Sequence, residues 1–349
     1  MLHDALWPFS SYFRDTPLKF HSFPLRRVEM HPARVPVPPM ANGYYAPNRK
    51  VNQRFDQMRP IYDERSKYDI RFIVLRHAER LDHAVGQNWY QKIFGDGPSA
   101  PRSAYRHPLL PQQLPYRVNS LLYEFDPPIT RRGEDASYLK GQALSHAGAT
   151  VDYCYASPAS RSVLTANAIL KGMNHSHIPI RIEPNLFEPM GFNKPLQLLT
   201  NMYPFMSRGD WAQAGYNVDR VYQRLGNELN PNENEADYFD RSKLVFDSIE
   251  QRYNGRLPIV PIGAVPRRRI TILVVGHSTS TEIFSTVALR KRFDTKTFNE
   301  QHAKVPYLHA VVIERDAINR AWYIRPQLAD APAYFRAKSA DVYSKLRKP

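Results

Sequence analysis

The sequence predicts an α/β domain: three layers, with a mostly parallel sheet carrying helices on both faces. Three observations lead there. Short apolar runs rich in β-branched residues recur at 70–75, 151–156, 180–183, 270–275 and 311–314, each long enough for a buried strand and too short for a buried helix. Stretches of helical composition lie between them, the pattern of strand–helix–strand crossovers. Finally, 349 residues with 42% hydrophobic content suffice for one large α/β domain or two small ones.

Residues 1–68 are read as an irregular, basic, proline-rich arm. Pro32, Pro36, Pro38, Pro39 and Pro47 recur among Arg and Lys with no sustained helical or strand period. Such a segment serves as a linker or as a docking peptide. The character changes at Tyr68, and residues 69–349 are read as the folded domain. The run 70–75 is its first strand and ends at Arg76-His77. A helical stretch carrying Trp89, Tyr90 and Phe94 follows, then a proline-rich loop over 96–128. Glu134, Ala136, Leu139, Ala143 and Leu144 mark a helix, with Thr130 as its N-cap. The second strand, 151–156, is broken by Ser157-Pro158 and followed by a helix over 161–170. The third, 180–183, leads into Asn185-Leu186-Phe187-Glu188. Residues 189–240, with their Pro, Asn and aromatic content, are read as an insertion. A helix over 242–252 and a basic loop over 256–269 precede the clearest buried strand, 270–275, which ends at Gly276-His277. A late strand at 311–314 closes the domain.

Composition narrows the function classes. A net charge of +15 and a pI near 9.8 point to an anionic partner. The basic residues are scattered, and no zinc-finger, homeodomain or RNP signature accompanies them, so specific nucleic-acid binding is not expected. No apolar run approaches the ~18 residues that span a bilayer. The first eight residues, MLHDALWP, lack the charged and apolar blocks of a signal peptide. One cysteine, Cys154, excludes an intrachain disulfide framework and a cysteine-based zinc cluster. A reducing compartment fits, the cytoplasm first and the nucleus not excluded.

In open α/β sheets, ligands bind beyond the carboxyl ends of the strands. Four such ends carry Arg76, His77 and Arg80; Arg161; Glu188; and His277. Planar guanidinium groups match the oxygens of a phosphoryl group, so Arg76, Arg80 and Arg161 are candidate phosphate ligands. A neutral imidazole can attack phosphorus and hold it covalently, and His77 stands between two arginines at a strand terminus. His277 would stabilise transition-state charge on the same phosphate. Glu188 would protonate the leaving oxygen and later activate water. Each residue alone is commonplace; a lone histidine after a strand is ordinarily structural. The weight lies in two histidines directly after hydrophobic strands, with arginines and a glutamate at the other ends.

These residues resemble a known family. The run Phe72 to Arg80, with Arg76-His77-Ala78 at its centre, is similar to the Arg-His-Gly signature of the histidine phosphatase, or phosphoglycerate mutase-like, superfamily. Leu81 to Trp89 resembles a narrower branch, the phosphatase domain of the TULA/Sts proteins. So do Asp126 to Thr130, Tyr155 to Arg161, Ala166 to Gly172, Ile182 to Glu188, Val275 to Ser278 and Val305 to Leu308. Together these matches span about 70–325 in the right order. The resemblance implies His77 as phosphorylated nucleophile, Arg76, Arg80, Arg161 and His277 as the phosphate pocket, and Glu188 as proton donor. It implies a phosphomonoesterase working without metal or cofactor on a phosphotyrosyl protein or a small phosphate ester, and it leaves a homodimer open. Two positions depart from the pattern: Ala78 stands where Gly is usual, and Pro189 follows Glu188 where an aromatic residue is common. The other reading that these departures suggest is a phosphoprotein-binding scaffold that keeps the pocket but turns over little.

Overall fold

The structure, a computed structural model, describes residues 67–192, 204–254 and 269–325. The arm expected over 1–68 lies outside these residues but for its last two, and the basic loop 256–269 but for its last one.

Strands β1 (Tyr68–Arg76) and β4 (Ile270–Gly276) form the centre of the sheet and pair in parallel, from Ile70↔Ile270 to Arg76↔Gly276. Both are buried along nearly their whole length, because elements cover them on each face. β2 (Tyr153–Ala156) pairs in parallel with β4, and β3 (Ile180–Ile182) with β2. On the other side, β5 (Ala310–Asp316) runs antiparallel to β1, and β6 (Trp322–Arg325) antiparallel to β5. The order is therefore β3-β2-β4-β1-β5-β6, and β5 alone among the described strands is reversed. The sequence reading had the late strand without its direction, and β6 was missing from it.

The helices are α1 (Leu81–Val85), α2 (Trp89–Phe94), α3 (Leu122–Phe125), α4 (Arg131–His146), α5 (Ser160–Gly172), α6 (Arg208–Gln213), α7 (Glu235–Asn254), α8 (Ser278–Ala288) and α9 (Thr295–His302). Side chains alternate across the pleat. Ile73, Leu75, Cys154, Ala156, Leu273 and Val275 meet Leu144 of α4 and Val163, Ile169 and Leu170 of α5 on one face. Phe72, Val74, Tyr155, Ile272 and Val274 meet Val245, Phe246 and Ile249 of α7 and Phe284 of α8 on the other. Each Val, Leu, Ile or Phe among them removed from water stabilises the fold by about 1.5–3 kcal/mol.

Local signals set several boundaries. The Thr130 hydroxyl accepts the Gly133 N–H at 2.9 Å and starts α4 as expected. Asn234 Oδ1 accepts the N–H groups of Ala236 and Asp237 at 2.8 and 3.0 Å, so α7 begins one turn or more before the sequence-based estimate. Helices α8 and α9 were not anticipated. The α8 segment STSTEIFSTVA is dense in Ser and Thr, with one Ile and one Val, all weak helix formers by propensity, and burial against β1 and α7 overrides that preference. The stretch 96–128 is not all loop: it holds a 3-10 turn at Ala104–Arg106 and α3, whose Tyr123 joins Trp89, Tyr90, Ile93 and Phe94 of α2 in a small satellite core. The described part of 189–240 is built into the main core through Trp211, Tyr216 and Val218, with Val218 bridging Ile180 at the β3 edge.

Candidate active site

Parallel pairing decides the heart of the site. Arg76 of β1 is opposite Gly276 of β4, so the residues that follow, His77 and His277, leave the sheet side by side. The His77 N–H donates to the Gly276 carbonyl at 2.9 Å, and the two imidazole centroids lie 5.3 Å apart at 74°. Both rings are almost wholly buried.

The His77 tautomer follows from its partner. Nδ1 lies 2.8 Å from the Ala78 carbonyl oxygen, which can only accept, so Nδ1 carries the hydrogen. In the neutral ring the Nε2 lone pair is then free to act as a nucleophile. The ring is held neutral: burial first, then Arg161, His277 and Arg76, push its pKa well below the ordinary 6.5. His277 is likewise pushed well down, by burial first; Glu188 opposes the shift, and Arg161, Arg80 and Arg76 add to it. Its Nε2 is 2.8 Å from Ser157 Oγ, and its Nδ1 is 3.5 Å from Glu188 Oε2.

The arginines converge from three elements. Arg76 packs its guanidinium over the Tyr307 ring, 4.4 Å from the centroid, and donates to the Val305 carbonyl. Burial lowers its pKa; Tyr307 and Glu188 oppose that, whereas Arg80 and Arg161 reinforce it, which places these four groups within electrostatic reach of Arg76. Arg80, at the N-terminus of α1, forks Asp82 at 2.9 and 2.6 Å. Arg161, in the first turn of α5, is fully buried and holds Glu188 Oε1 through Nη2 at 2.5 Å. Behind it lies Asp126, buried, which accepts from Ser160 N and Oγ at 2.8 and 2.5 Å and sits 3.8 Å from Arg161. Arg76 and Arg161 each keep a buried Nε with no hydrogen-bond partner among the described residues. Two guanidinium groups so placed beside a neutral histidine can together donate hydrogen bonds to an anion.

Glu188 reaches the site from the β3 side. A 3-10 turn, Pro184–Leu186, carries the chain from β3 past Phe187, whose ring meets His277 edge-on at 5.3 Å. The glutamate ends between Arg161 and His277 with its side chain 13% exposed, wetter than either neighbour.

All six residues singled out from the sequence thus meet at one sheet edge. Others were not given a role by sequence reasoning. Ser157, Asp126 and Tyr307 lie in the motifs, where only their presence was legible, and Thr165 lies just outside them. The Thr165 hydroxyl accepts the Ala78 N–H at 3.0 Å and donates to the Arg161 carbonyl at 2.7 Å, tying β1's exit to α5. Tyr307 lies 5.7 Å from the His77 ring and its hydroxyl is 2.7 Å from His83 Nδ1. Ala78 has a negative φ and a buried methyl group packed in the core, so the exchange of Gly for Ala costs no backbone strain. Of the two charges beside α4, Arg131 pairs with Glu134 at the surface and Arg132 with Glu79.

A family model described as "Histidine phosphatase superfamily (branch 1)" matches residues 121–299, just over half of the chain. Ubiquitin-associated and SH3 domain-containing protein B of Homo sapiens is 30% identical over 266 residues, 74% of this chain and 37% of that protein. The ecdysteroid-phosphate phosphatase of Bombyx mori is 32% identical over 151 residues, 43% of this chain and 21% of that protein. The chain therefore spans roughly a third of the length of the first curated relatives it matches. Among solved structures, the ecdysone phosphate phosphatase of Bombyx mori in complex with tungstate superposes with a TM-score of 0.60 at 22% identity, over 74% of this chain and 93% of that one, and shares the fold. With its six-stranded mixed sheet and paired histidines at the ends of β1 and β4, the chain belongs to the histidine phosphatase superfamily.

Proposed function

We propose that the chain is a phosphomonoesterase working through a phosphohistidine on His77, and that residues 69–349 form its catalytic domain. The observation that carries this reading is the His77 ring itself: Nδ1–H is tied to the Ala78 carbonyl, the ring is kept neutral by burial and by Arg161 and Arg76, and Nε2 is left as the nucleophile.

In the first step Nε2 attacks phosphorus while the bond to the leaving oxygen breaks. Arg76, Arg80, Arg161 and His277 take up the charge on the phosphoryl oxygens, and Glu188 gives its proton to the leaving oxygen. In the second, the Glu188 carboxylate takes a proton from water, the hydroxide attacks phosphorus, and the His77–phosphorus bond breaks to release inorganic phosphate. Splitting one displacement into two is the benefit of covalent catalysis. The ion pair between Arg161 and Glu188 is one that a phosphate group would replace. No step uses a metal.

The substrate we propose is an aryl phosphate, with phosphotyrosyl protein ahead of a small ester. Phe192, 41% exposed, stacks on His302 at 4.9 Å, and His302 is within electrostatic reach of Glu188 and Arg76; with Tyr307 these rings give the rim an aromatic character suited to a phenolic leaving group.

Hydrolysis of p-nitrophenyl phosphate in EDTA, with His77→Ala alongside, tests the proposal. Wild-type turnover that falls by 10³-fold or more in the variant, with an acid-labile, alkali-stable phosphate label on the wild type only, is expected. Turnover equal to that of the variant would replace the enzyme reading with the scaffold reading, and activity restored only by a divalent metal would overturn the metal-free mechanism.

A further inference from the structure

Two charged side chains outside the phosphate pocket grip the segment that carries Glu188. Arg241, in the second turn of α7, donates through Nη1 to the carbonyls of Asn185 and Phe187, both at 2.8 Å, and through Nη2 to the carbonyl of Glu188 at 3.1 Å. Glu233, just before α7, closes a fork on the same guanidinium: Oε2 accepts from Nε at 2.7 Å and Oε1 from Nη2 at 2.6 Å. Glu233 Oε1 also accepts the Met190 N–H at 2.9 Å. The pair is buried, with side chains 11% and 2% exposed.

The segment needs such a grip. Between the 3-10 turns Pro184–Leu186 and Met190–Phe192 it has no α-helix or strand to satisfy its backbone groups, and buried carbonyls left unpaired are costly. Arg241 and Glu233 satisfy the main chain at 185, 187, 188 and 190, on both sides of Glu188. From β3's end, the buried Glu183 accepts the Asn185 N–H at 2.9 Å and adds a third anchor. With the backbone fastened on both sides, the Glu188 carboxylate is left only its side-chain torsions. Neither Arg241 nor Glu233 is in contact with His77, His277 or the pocket arginines in any of these bonds.

We propose that Arg241 and Glu233 are positioning residues for proton transfer by Glu188, setting the carboxylate against the leaving oxygen while leaving the phosphate pocket alone. The inference rests on Glu188 being the general acid. Misplacement of a reacting group by about 1 Å can cost ~10²-fold. A lysine at 241 keeps the charge but cannot reach three carbonyls and a carboxylate from one rigid plane.

The test is kcat/KM, which reports only the steps through phosphorylation of His77, measured on aryl phosphates of graded leaving-group acidity from p-nitrophenyl to phenyl phosphate. A good leaving group departs without a proton; a poor one needs it. For Arg241→Lys we expect the loss to be smallest for p-nitrophenyl phosphate and to grow to about 10²-fold for phenyl phosphate, with inhibition by inorganic phosphate unchanged. Glu233→Gln, which keeps the shape and the acceptor for Met190, should show the same slope to a lesser degree and serves in place of Arg241→Lys if that variant does not fold. A uniform loss across the series, or weakened phosphate inhibition, would mean that the pair only supports the fold and would overturn the proposal. Glu188→Gln separates the two readings: a steep slope there with a flat one in Arg241→Lys sinks the positioning role alone, and a flat slope in Glu188→Gln sinks the general-acid reading beneath it.

Discussion

At the scale of single residues, charge burial dominates this molecule. Arg161 and Asp126 are both almost fully removed from water, a costly arrangement that is tolerated when every member has partners. Asp126 answers Ser160 twice and lies 3.5 Å from Arg117 as well as near Arg161, so it holds the start of α5, and with it the buried guanidinium, in place. Asp126→Ala would leave two buried arginines short of a counter-charge. It should cost about 3–5 kcal/mol in urea unfolding and weaken inhibition by inorganic phosphate; unchanged stability would show that Arg117 and Arg161 find other partners. Most of this second layer could not be assigned from the sequence. Asp126, Ser157 and Thr165 were visible as letters, but their roles depend on which groups they face. Arg241 and Glu233 carried no signal at all, since they lie some 50 residues along the chain from the carbonyls and amide they satisfy.

At the scale of elements, α4 and α5 pack so closely that glycine is required where they cross. A methyl group on Gly141 would collide with the Ile169 carbonyl of α5, and one on Gly172 with the Tyr138 carbonyl of α4. These are backbone atoms in regular helices and cannot swing aside. Gly172→Ala should therefore push the helices apart and cost roughly 1–3 kcal/mol as overpacking, despite the better helix propensity of alanine. Because α5 also carries Arg161 and Thr165, the variant's KM should rise together with the fall in its unfolding midpoint. An increase in stability would mean that the helices tolerate the wider spacing. Other elements show where local reading stops. Strands β1 and β4 were legible as uninterrupted apolar runs, yet α8 was not legible as a helix. Its composition favours extended structure, and only packing against β1, α7 and α9 makes it helical.

At the scale of the whole molecule, two buried imidazoles couple folding to pH. His77 and His277 both have pKa values pushed well below 6.5, by burial first. The unfolded chain takes up protons at about 6.5 and the native chain does not, so the unfolded state binds more protons as pH falls through that value. The stability they support is complete above about pH 6.5 and is lost below it, by about 1.4 kcal/mol per pH unit for each histidine. Urea unfolding between pH 7.5 and 5.5 should show this decline, and His277→Gln should make it shallower by one histidine's share. An unchanged slope in the variant would mean that His277 is protonated in the native state. None of the described helices is long and apolar enough to cross a membrane.

The sequence by itself determined five of the six described strands, the strand-end positions of six polar residues and the family they resemble. Hydrophobic runs and the residues that end them are local properties of the chain, and a strand terminus places its next residue at the sheet edge whatever else the fold does. Tertiary structure decided the remainder. Which ends are neighbours depends on strand order: β4 pairs with β1 although nearly 200 residues separate them, and this alone brings His277 beside His77. The direction of β5 was likewise non-local. Two helices after β4 carry the chain down and back to the same edge, so the Leu308 N–H meets the His77 carbonyl and the next strand must run the other way. The tautomer of His77, the partners of Arg161 and the grip on Glu188 each depend on hydrogen-bond geometry between groups far apart in sequence, which no local pattern encodes.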